Sequence, residues 1–332
     1  MKLKVAIQCN ELGQRGGIGT YSGRLNEYLN KTKFKIDKDG KKENVYVSCE
    51  QFVNKPMNKP DIINIQYESG MLQPQQLQSI IQKNPESIVV TVHHMGFLPN
   101  FYPLIDGMVL HSKNQIEGEE PWNYTVIPHP ALVYPEKSKE DMREKYDLPK
   151  DKKILGTAGF IAGTGKRLPE IVNLMLKKLK DDEFLYLITS FWKGGDFGFT
   201  EQIMKSVKEL GKENQFRIDT EFVSEEELNE KMQCCDLLFA WNNMDGKGSN
   251  SGIGMDMIGS RRKVIVKDSP HYGFVGSIEN VEVGRPKMED FVKDTFKLFR
   301  KGDLTKVANP EPYSWETLTK KYVEYFLEIL GE

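Results

Sequence analysis

Short apolar runs rich in β-branched residues recur along the chain, each followed by a stretch in which apolar residues return every three or four positions. In the first half the runs are KVAIQ, NVYVS, DIINIQ, SIVVTVHH and GMVLHS, and helical spacing is predicted near 19–30, 74–83 and 112–119. The lysine-rich stretch NKTKFKIDKDGKK at 30–42 reads as a solvated loop. A second series follows: KILGTAG, FLYLITS, QFRID, DLLFAW and KVIVKD, separated by helices near 167–180, 200–211, 224–234 and 252–260. Strands apolar on nearly every residue, alternating with helices, imply parallel sheets covered on both faces.

Two such series imply two doubly wound α/β domains. The boundary is expected in IPHPALVYPEKSKEDM, 127–142, where prolines and then charges interrupt the pattern. This places one domain at 1–137 and a second at 138–312. Near the C-terminus Ser314 reads as an N-cap, and Trp315, Leu318, Tyr322, Tyr325, Phe326 and Ile329 recur at helical spacing behind it. This apolar face needs a docking surface, and the helix at 313–332 is assigned to complete the first domain.

Composition narrows the partners. The 332 residues carry Lys+Arg 46 against Asp+Glu 48, a formal charge of -2, so no global basic field argues for nucleic acid as a main partner. The lysines of 30–42 suit peripheral contact with anionic lipid or a phosphorylated acceptor if they are more than a solvated loop. Cys9, Cys49, Cys234 and Cys235 lack metal or redox spacing. With no apolar run near the ~20 residues that span a bilayer, the expectation is a cytoplasmic protein.

In open parallel sheets ligands bind beyond the carboxyl ends of the strands, so the strand-end residues carry the functional reading. ILGTAGFIAGTGKRLPEIV joins a strand, a glycine turn, Lys166, Arg167 and a helix, which suggests a phosphate cradle. It is not a nucleotide-hydrolysing loop: Gly159 stands six positions before Gly165 where five are required, and Arg167 takes the place of the metal-binding hydroxyl. The alternative is an ordinary strand-to-helix turn with solvated bases. NELGQRGGIGTYSGRL brings Gly17 and Gly19 to a helix N-terminus, yet Ser22 stands where a dinucleotide fingerprint needs its third glycine. His93 and His94 close a strongly apolar strand, where an imidazole can hydrogen-bond a hydroxyl or stabilise developing charge. His111 and His129 also follow strands and can satisfy loop carbonyls. In SNSGIGMDMIG, Ser251 and Gly252 open a helix suited to phosphate, and Asp256 lies about a turn further in, where a carboxylate can accept from ribose.

In their order these segments resemble the glycosyltransferases of the GT-B fold, and within them the retaining family 4. GGIGTYSGRL is similar to the family's first loop and helix, VIPHP to its linker entry, and TAGFIAGTGKRLPEIV to the strand and loop that grip a donor diphosphate. VSEEELNEKMQCCDLLFAW with SGIGMDMIGSRRKVIV resembles the segment bearing the Glu-x7-Glu motif. The resemblance implies two Rossmann-like domains facing a cleft, with a C-terminal helix crossing back to the first. It puts Asp256 at the second, ribose-binding Glu, and the first Glu falls eight positions earlier on Gly248, with Asp245 a substitute after a loop shift. The family's arginine falls near Phe160, leaving Lys166 and Arg167 as the basic pair.

The expected activity is transfer of a sugar from a nucleoside diphosphate sugar to a glycan, lipid-linked or other hydroxyl acceptor. Lys166, Arg167 and the amides near Ser251 and Gly252 neutralise the leaving diphosphate, with no metal or other cofactor. Gly17 and Gly19 admit the donor phosphates or acceptor, His93 contacts the transferred sugar by family analogy, and Glu68 orients the acceptor. The only D-x-D, Asp37 and Asp39, sits among lysines. Two alternatives keep the fold: a catalytically inactive binding protein or partner subunit, and a sugar-nucleotide epimerase. A nicotinamide oxidoreductase is disfavoured because the fingerprint fails.

Overall fold

The structure is a computed structural model that describes all residues except 11–15, 39–40, 85, 95–97, 117–119, 162–166, 192–197 and 244–249, and also leaves undescribed the side chains of 38, 41 and 161. The chain divides into two compact units, one of Met1–His129, Lys247–Asn250 and Tyr313–Glu332, the other of Pro130–Gly246 and Ser251–Pro312.

The first unit is built on a seven-stranded sheet of β1 (Lys2–Gln8), β2 (Lys33–Lys38), β3 (Lys41–Phe52), β4 (Ile62–Glu68), β5 (Ser87–His94), β6 (Gly107–Leu110) and β7 (Tyr124–Val126), in the order β2-β3-β1-β4-β5-β6-β7. All pairings are parallel except β2 with β3. The expected loop at 30–42 is therefore a hairpin. KFKIDK alternates, with Phe34 and Ile36 buried and Lys33, Lys35 and Asp37 exposed, and its sequence is followed by an Asp-Gly pair suited to a tight turn. Its charge content masked a period of two. Helices α1 (Gly17–Lys31) and α2 (Pro74–Lys83) cover the sheet. Of the helix expected at 112–119, Lys113–Gln115 form a 3-10 turn capped by Ser112, and residues 117–119 lie outside the described residues.

The second unit contains α3 (Lys139–Lys145), β8 (Lys153–Ile161), α4 (Leu168–Leu176), β9 (Glu183–Phe191), α5 (Phe199–Glu209), β10 (Phe216–Asp219), α6 (Glu225–Gln233), β11 (Leu237–Ala240), α7 (Gly252–Gly259), β12 (Lys263–Lys267), α8 (Gly273–Gly276), β13 (Glu282–Gly284) and α9 (Met288–Lys301). Its sheet is parallel throughout, in the order β10-β9-β8-β11-β12-β13. This is the doubly wound 3-2-1-4-5-6 arrangement, whose order reverses between β8 and β11. Leu155, Leu185, Leu187, Leu237 and Phe239 of the strands pack with Ile171, Val172 and Met175 of α4 and Phe291 of α9. Each such side chain, fully buried, contributes roughly 1.5–3 kcal/mol.

The C-terminal helix α10 (Trp315–Ile329) belongs to the first unit. Ser314 caps it through Thr317 N, and Trp315, Leu318, Tyr322, Tyr325 and Phe326 are buried, whereas Ile329 is half-buried. Tyr325 ties it to the sheet: its hydroxyl accepts from Met108 N at 3.0 Å and donates to Asn123 Oδ1 at 3.2 Å.

Within the second unit α7 is seated against the chain at Leu132. Asp256 Oδ1 accepts from Leu132 N at 3.2 Å, and one turn on, a Cβ on Gly259 would stand 2.0 Å from the Leu132 carbonyl oxygen. Only glycine permits that approach. Ala favours helix by up to about 1 kcal/mol, but here the clash with backbone overrides propensity. Gly259→Ala is expected to destabilise the protein by about 1–3 kcal/mol, read as a lowered denaturant midpoint; an unchanged or raised midpoint would show that this seam does not constrain α7.

Candidate functional site

The second unit has a pocket at the carboxyl ends of β8 and β11, the switch point of its sheet. Thr157 and Phe160 of β8, Thr189 of β9, Trp241 after β11, and Leu168 and Tyr272 line it, with Ile253 and Met257 of α7. Gly159 has φ 118°, a conformation that a side chain would strain, and it leads directly into Phe160. Ser251 caps α7 by accepting from Gly254 N at 3.1 Å, and the buried Tyr272 side chain lies beside Ser251. The first turn of α7 contains no acid, whereas α6 opens on Glu225, Glu226 and Glu227 and α9 on Glu289 and Asp290. The positive end of the α7 dipole is thus not answered by a first-turn carboxylate. The buried Trp241 Nε1 has no hydrogen-bond partner among the described residues, and the Lys267 ammonium lies 5.0 Å from the Trp241 ring centre. Helix-start amides and an indole N–H together make a donor-rich wall, with the buried Lys267 ammonium against the Trp241 ring.

Of the residues expected here, Ser251 and Gly252 form that helix start. Asp256 is 6% exposed, and one of its oxygens is engaged by Leu132 N. Arg167 caps α4 in a left-handed conformation (φ 44°), and its Nε donates to Glu170 at 3.1 Å on the surface. Lys166, Asp245 and Gly248 lie outside the described residues.

The first unit gathers a second set of strand-end groups. His93 is the last residue but one of β5, at a bulge where the register with β4 passes from Tyr67 opposite Val92 to Glu68 opposite His94. Glu68 is half-buried, and its carbonyl accepts from Met71 N and Leu72 N. Gly17 and Gly19 occupy the first turn of α1, which also lacks an acid, and a Cβ on Gly17 would meet nothing within 4 Å. One turn on, Tyr21 packs against His93, His111 and His129 with ring centres 4.9–5.2 Å away. His111 lies 5.2 Å from His93 and 5.4 Å from His129. Tyr21 and Tyr322 share a 2.7 Å hydrogen bond, which joins α1 to α10 at this cluster.

Hydrogen bonds set the imidazole tautomers. His111 Nδ1 lies 2.9 Å from the Ile127 carbonyl and therefore donates, as a strand-end histidine satisfying a loop carbonyl would. His93 Nε2 lies 2.9 Å from Gln66 Oε1, and Gln66 donates in turn to Asn64 Oδ1. Asn64 is held by Thr91 Oγ1 at 2.9 Å and the Val89 carbonyl at 3.2 Å. His93 thus donates from Nε2 and keeps Nδ1 as an acceptor. Burial drives the His93 pKa well down, and the charges that His111 and His129 would carry push it the same way. Burial likewise pushes His111 down to about 4, against the pull of its bond to Ile127.

Sequence reasoning singled out His93 but missed Tyr21, Gln66, Trp241 and Tyr272. Each reads as an ordinary core residue in a strand or helix, and only its position at the carboxyl edge distinguishes it.

The sequence matches no protein-family model and no curated protein. Among solved structures the chain is similar to a glycosyltransferase from Rickettsia africae ESF-5, with a TM-score of 0.71 and 14% identity over 99% of each chain. It is similar to Anabaena Alr3699/HepE in complex with UDP and glucose, with a TM-score of 0.71 and 11% identity over 98% of this chain and 100% of that one. A third likeness is to sucrose-phosphate synthase from Thermosynechococcus elongatus, at a TM-score of 0.71 and 12% identity over 99% of each chain. Identities this low speak to fold alone, and the fold is that of the GT-B glycosyltransferases, an α/β architecture with two Rossmann-like parallel sheets.

The histidine cluster makes stability depend on pH in a defined direction. His93 and His111 are neutral when folded and titrate near 6.5 when unfolded, so below that value the unfolded chain binds more protons. Stability is full above about pH 7 and declines below about 6.5 by roughly 1.4 kcal/mol per pH unit for each such histidine, for His111 down to about pH 4. Denaturant melts from pH 8 to 5 should show this slope, and His111→Asn should flatten it. A melt independent of pH over that range would remove the neutral cluster.

Proposed function

We propose that this protein is a glycosyltransferase of the family 4 type that moves a sugar from a nucleoside diphosphate sugar to an acceptor hydroxyl, with retention at the anomeric carbon and without a metal. The observation that carries the reading is the donor-rich pocket at the β8/β11 switch point, lined by α7, Trp241 and Tyr272, with Lys267 against the Trp241 ring. Whole-length likeness to GT-B enzymes supports it, as does the UDP and glucose bound by the Anabaena protein.

In the reaction the bond between the anomeric carbon and the diphosphate oxygen breaks, a bond to the acceptor oxygen forms, and the acceptor proton passes to the departing diphosphate. Negative charge builds on the departing diphosphate. The amides at the start of α7, the Trp241 N–H, Lys166 and Arg167 answer that charge, and preorganised donors act most strongly on charge that develops late. Arg167 reaches the diphosphate by exchanging its exposed Glu170 pair, which is weak enough to give up. Neutral His93, with Nδ1 open as an acceptor, takes a hydroxyl proton of the transferred sugar in a hydrogen bond. Glu68 orients the acceptor. The acceptor is a glycan, a lipid-linked sugar or another hydroxyl compound, and peripheral membrane contact through the lysines of β2 and β3 suits the second of these. Among the described residues no helix is long and apolar enough to cross a membrane.

A second reading, nucleotide-sugar binding without transfer, is favoured by one observation. Gly248 stands where the resemblance expects an acid, and the Asp256 carboxylate is committed in part to Leu132. Thermal melts with UDP, GDP, ADP and dTDP, with and without magnesium, test the donor site. One diphosphate at ~100 times its dissociation constant should stabilise the protein by about 2.7 kcal/mol without metal. The Lys166→Ala, Arg167→Ala double variant should lose that shift. Absence of any shift would sink the donor site. A shift without release of diphosphate from the matching sugar donor, over a panel of hydroxyl acceptors, would select binding over transfer. Anomeric analysis of a product tests retention.

A further inference from the structure

Phe222 is 44% exposed. A single exposed aromatic ring is ordinary, but this one is not isolated. It lies nearly parallel to Phe160, with ring centres 6.2 Å apart and an interplanar angle of 14°. Phe160 lines the switch-point pocket near the carboxyl end of β8, and Phe222 follows β10 by three residues, just before Ser224 caps α6. Since β9 separates β8 from β10, the two rings meet beyond the carboxyl end of β9, on the side of the pocket away from β11 and α7.

The two sides differ in chemistry. Toward β11 and α7 stand helix amides and the Trp241 N–H, which suit an anion. Toward β10 stand two parallel phenyl rings, which offer no hydrogen bond and suit a flat aromatic group. From β10 to β11 there are three inter-strand steps, about 14 Å in all, comparable to an extended nucleoside diphosphate. A ligand with an anion at one end and a planar ring at the other matches both walls. We infer that Phe222, backed by Phe160, is the platform on which the nucleobase of the donor stacks, with the diphosphate directed toward α7. This rests on the donor-site reading and deepens it by separating base recognition from phosphate recognition. Because every base has a π-face, stacking supplies affinity across bases, and discrimination among them falls to other groups.

The test is calorimetric titration of wild type, Phe222→Ala, Phe222→Leu and Phe222→Trp with UDP, GDP, ADP and dTDP. The Ala and Leu variants should weaken the diphosphates that bind by roughly 5- to 150-fold, and the Trp variant should keep wild-type affinity. Exposure of the side chain keeps folding out of the comparison, and unchanged melts of the ligand-free variants verify this. Equal affinity in wild type and Phe222→Ala overturns the platform and leaves the donor site standing. Retention by Leu as well as by Trp overturns stacking in favour of simple apolar packing. Failure of wild type to bind any of the four diphosphates overturns the donor site, and the platform with it.

Discussion

Parallel strands cannot be joined by tight turns. Each must return across a face of the sheet, so the sheet is buried on both sides and its strands, apart from the hairpin strand β2 of the first unit, point one way. In both units of this protein the constraint gathers loops and helix starts at one edge, the carboxyl ends. The polar and aromatic side chains that the core cannot absorb stand there: Gln66, Glu68 and His93 in one unit, Thr189, Trp241 and Phe160 in the other. Everything chemical in the molecule follows from that polarity of the sheets.

In the second unit the edge is pinned by α7. The helix is held to Leu132 by a carboxylate and by the absence of a side chain at Gly259, while Ser251, beside the buried Tyr272, caps its first turn. A rigid start matters because backbone amides bind an anion only when they already converge. The same Asp256 is therefore both a strut and a candidate ligand group, and its hydrogen bond to Leu132 leaves less of the carboxylate for ribose.

In the first unit the edge is organised by aromatic and imidazole rings. Tyr21 touches three histidines and Trp315, and its hydroxyl reaches Tyr322, so α1 and α10 share one cluster with the ends of β5 and β6. Burial keeps His93 and His111 neutral, and the amide chain of Gln66 and Asn64 decides which nitrogen of His93 carries the proton. A neutral imidazole with a defined acceptor nitrogen is suited to grip a hydroxyl rather than to donate a charge.

Much of this was legible in the residues alone. Largely apolar strands such as SIVVTVHH and DLLFAW imply a doubly covered sheet, and the 3.6-residue spacing behind Ser314 specifies a helix with one broad buried face. These are local signals, set by burial and period. The hairpin at β2 and β3 was obscured because lysines dominate its composition, and β7 and β13 are too short, at three residues each, for any period to show. Strand order and partner choice belong to tertiary structure alone. The meeting of Tyr21 with His93, His111 and His129, the strut from Asp256 to Leu132, and the pairing of Phe160 with Phe222 all join residues far apart in sequence, and no local period records which distant side chains a closed sheet will bring into contact.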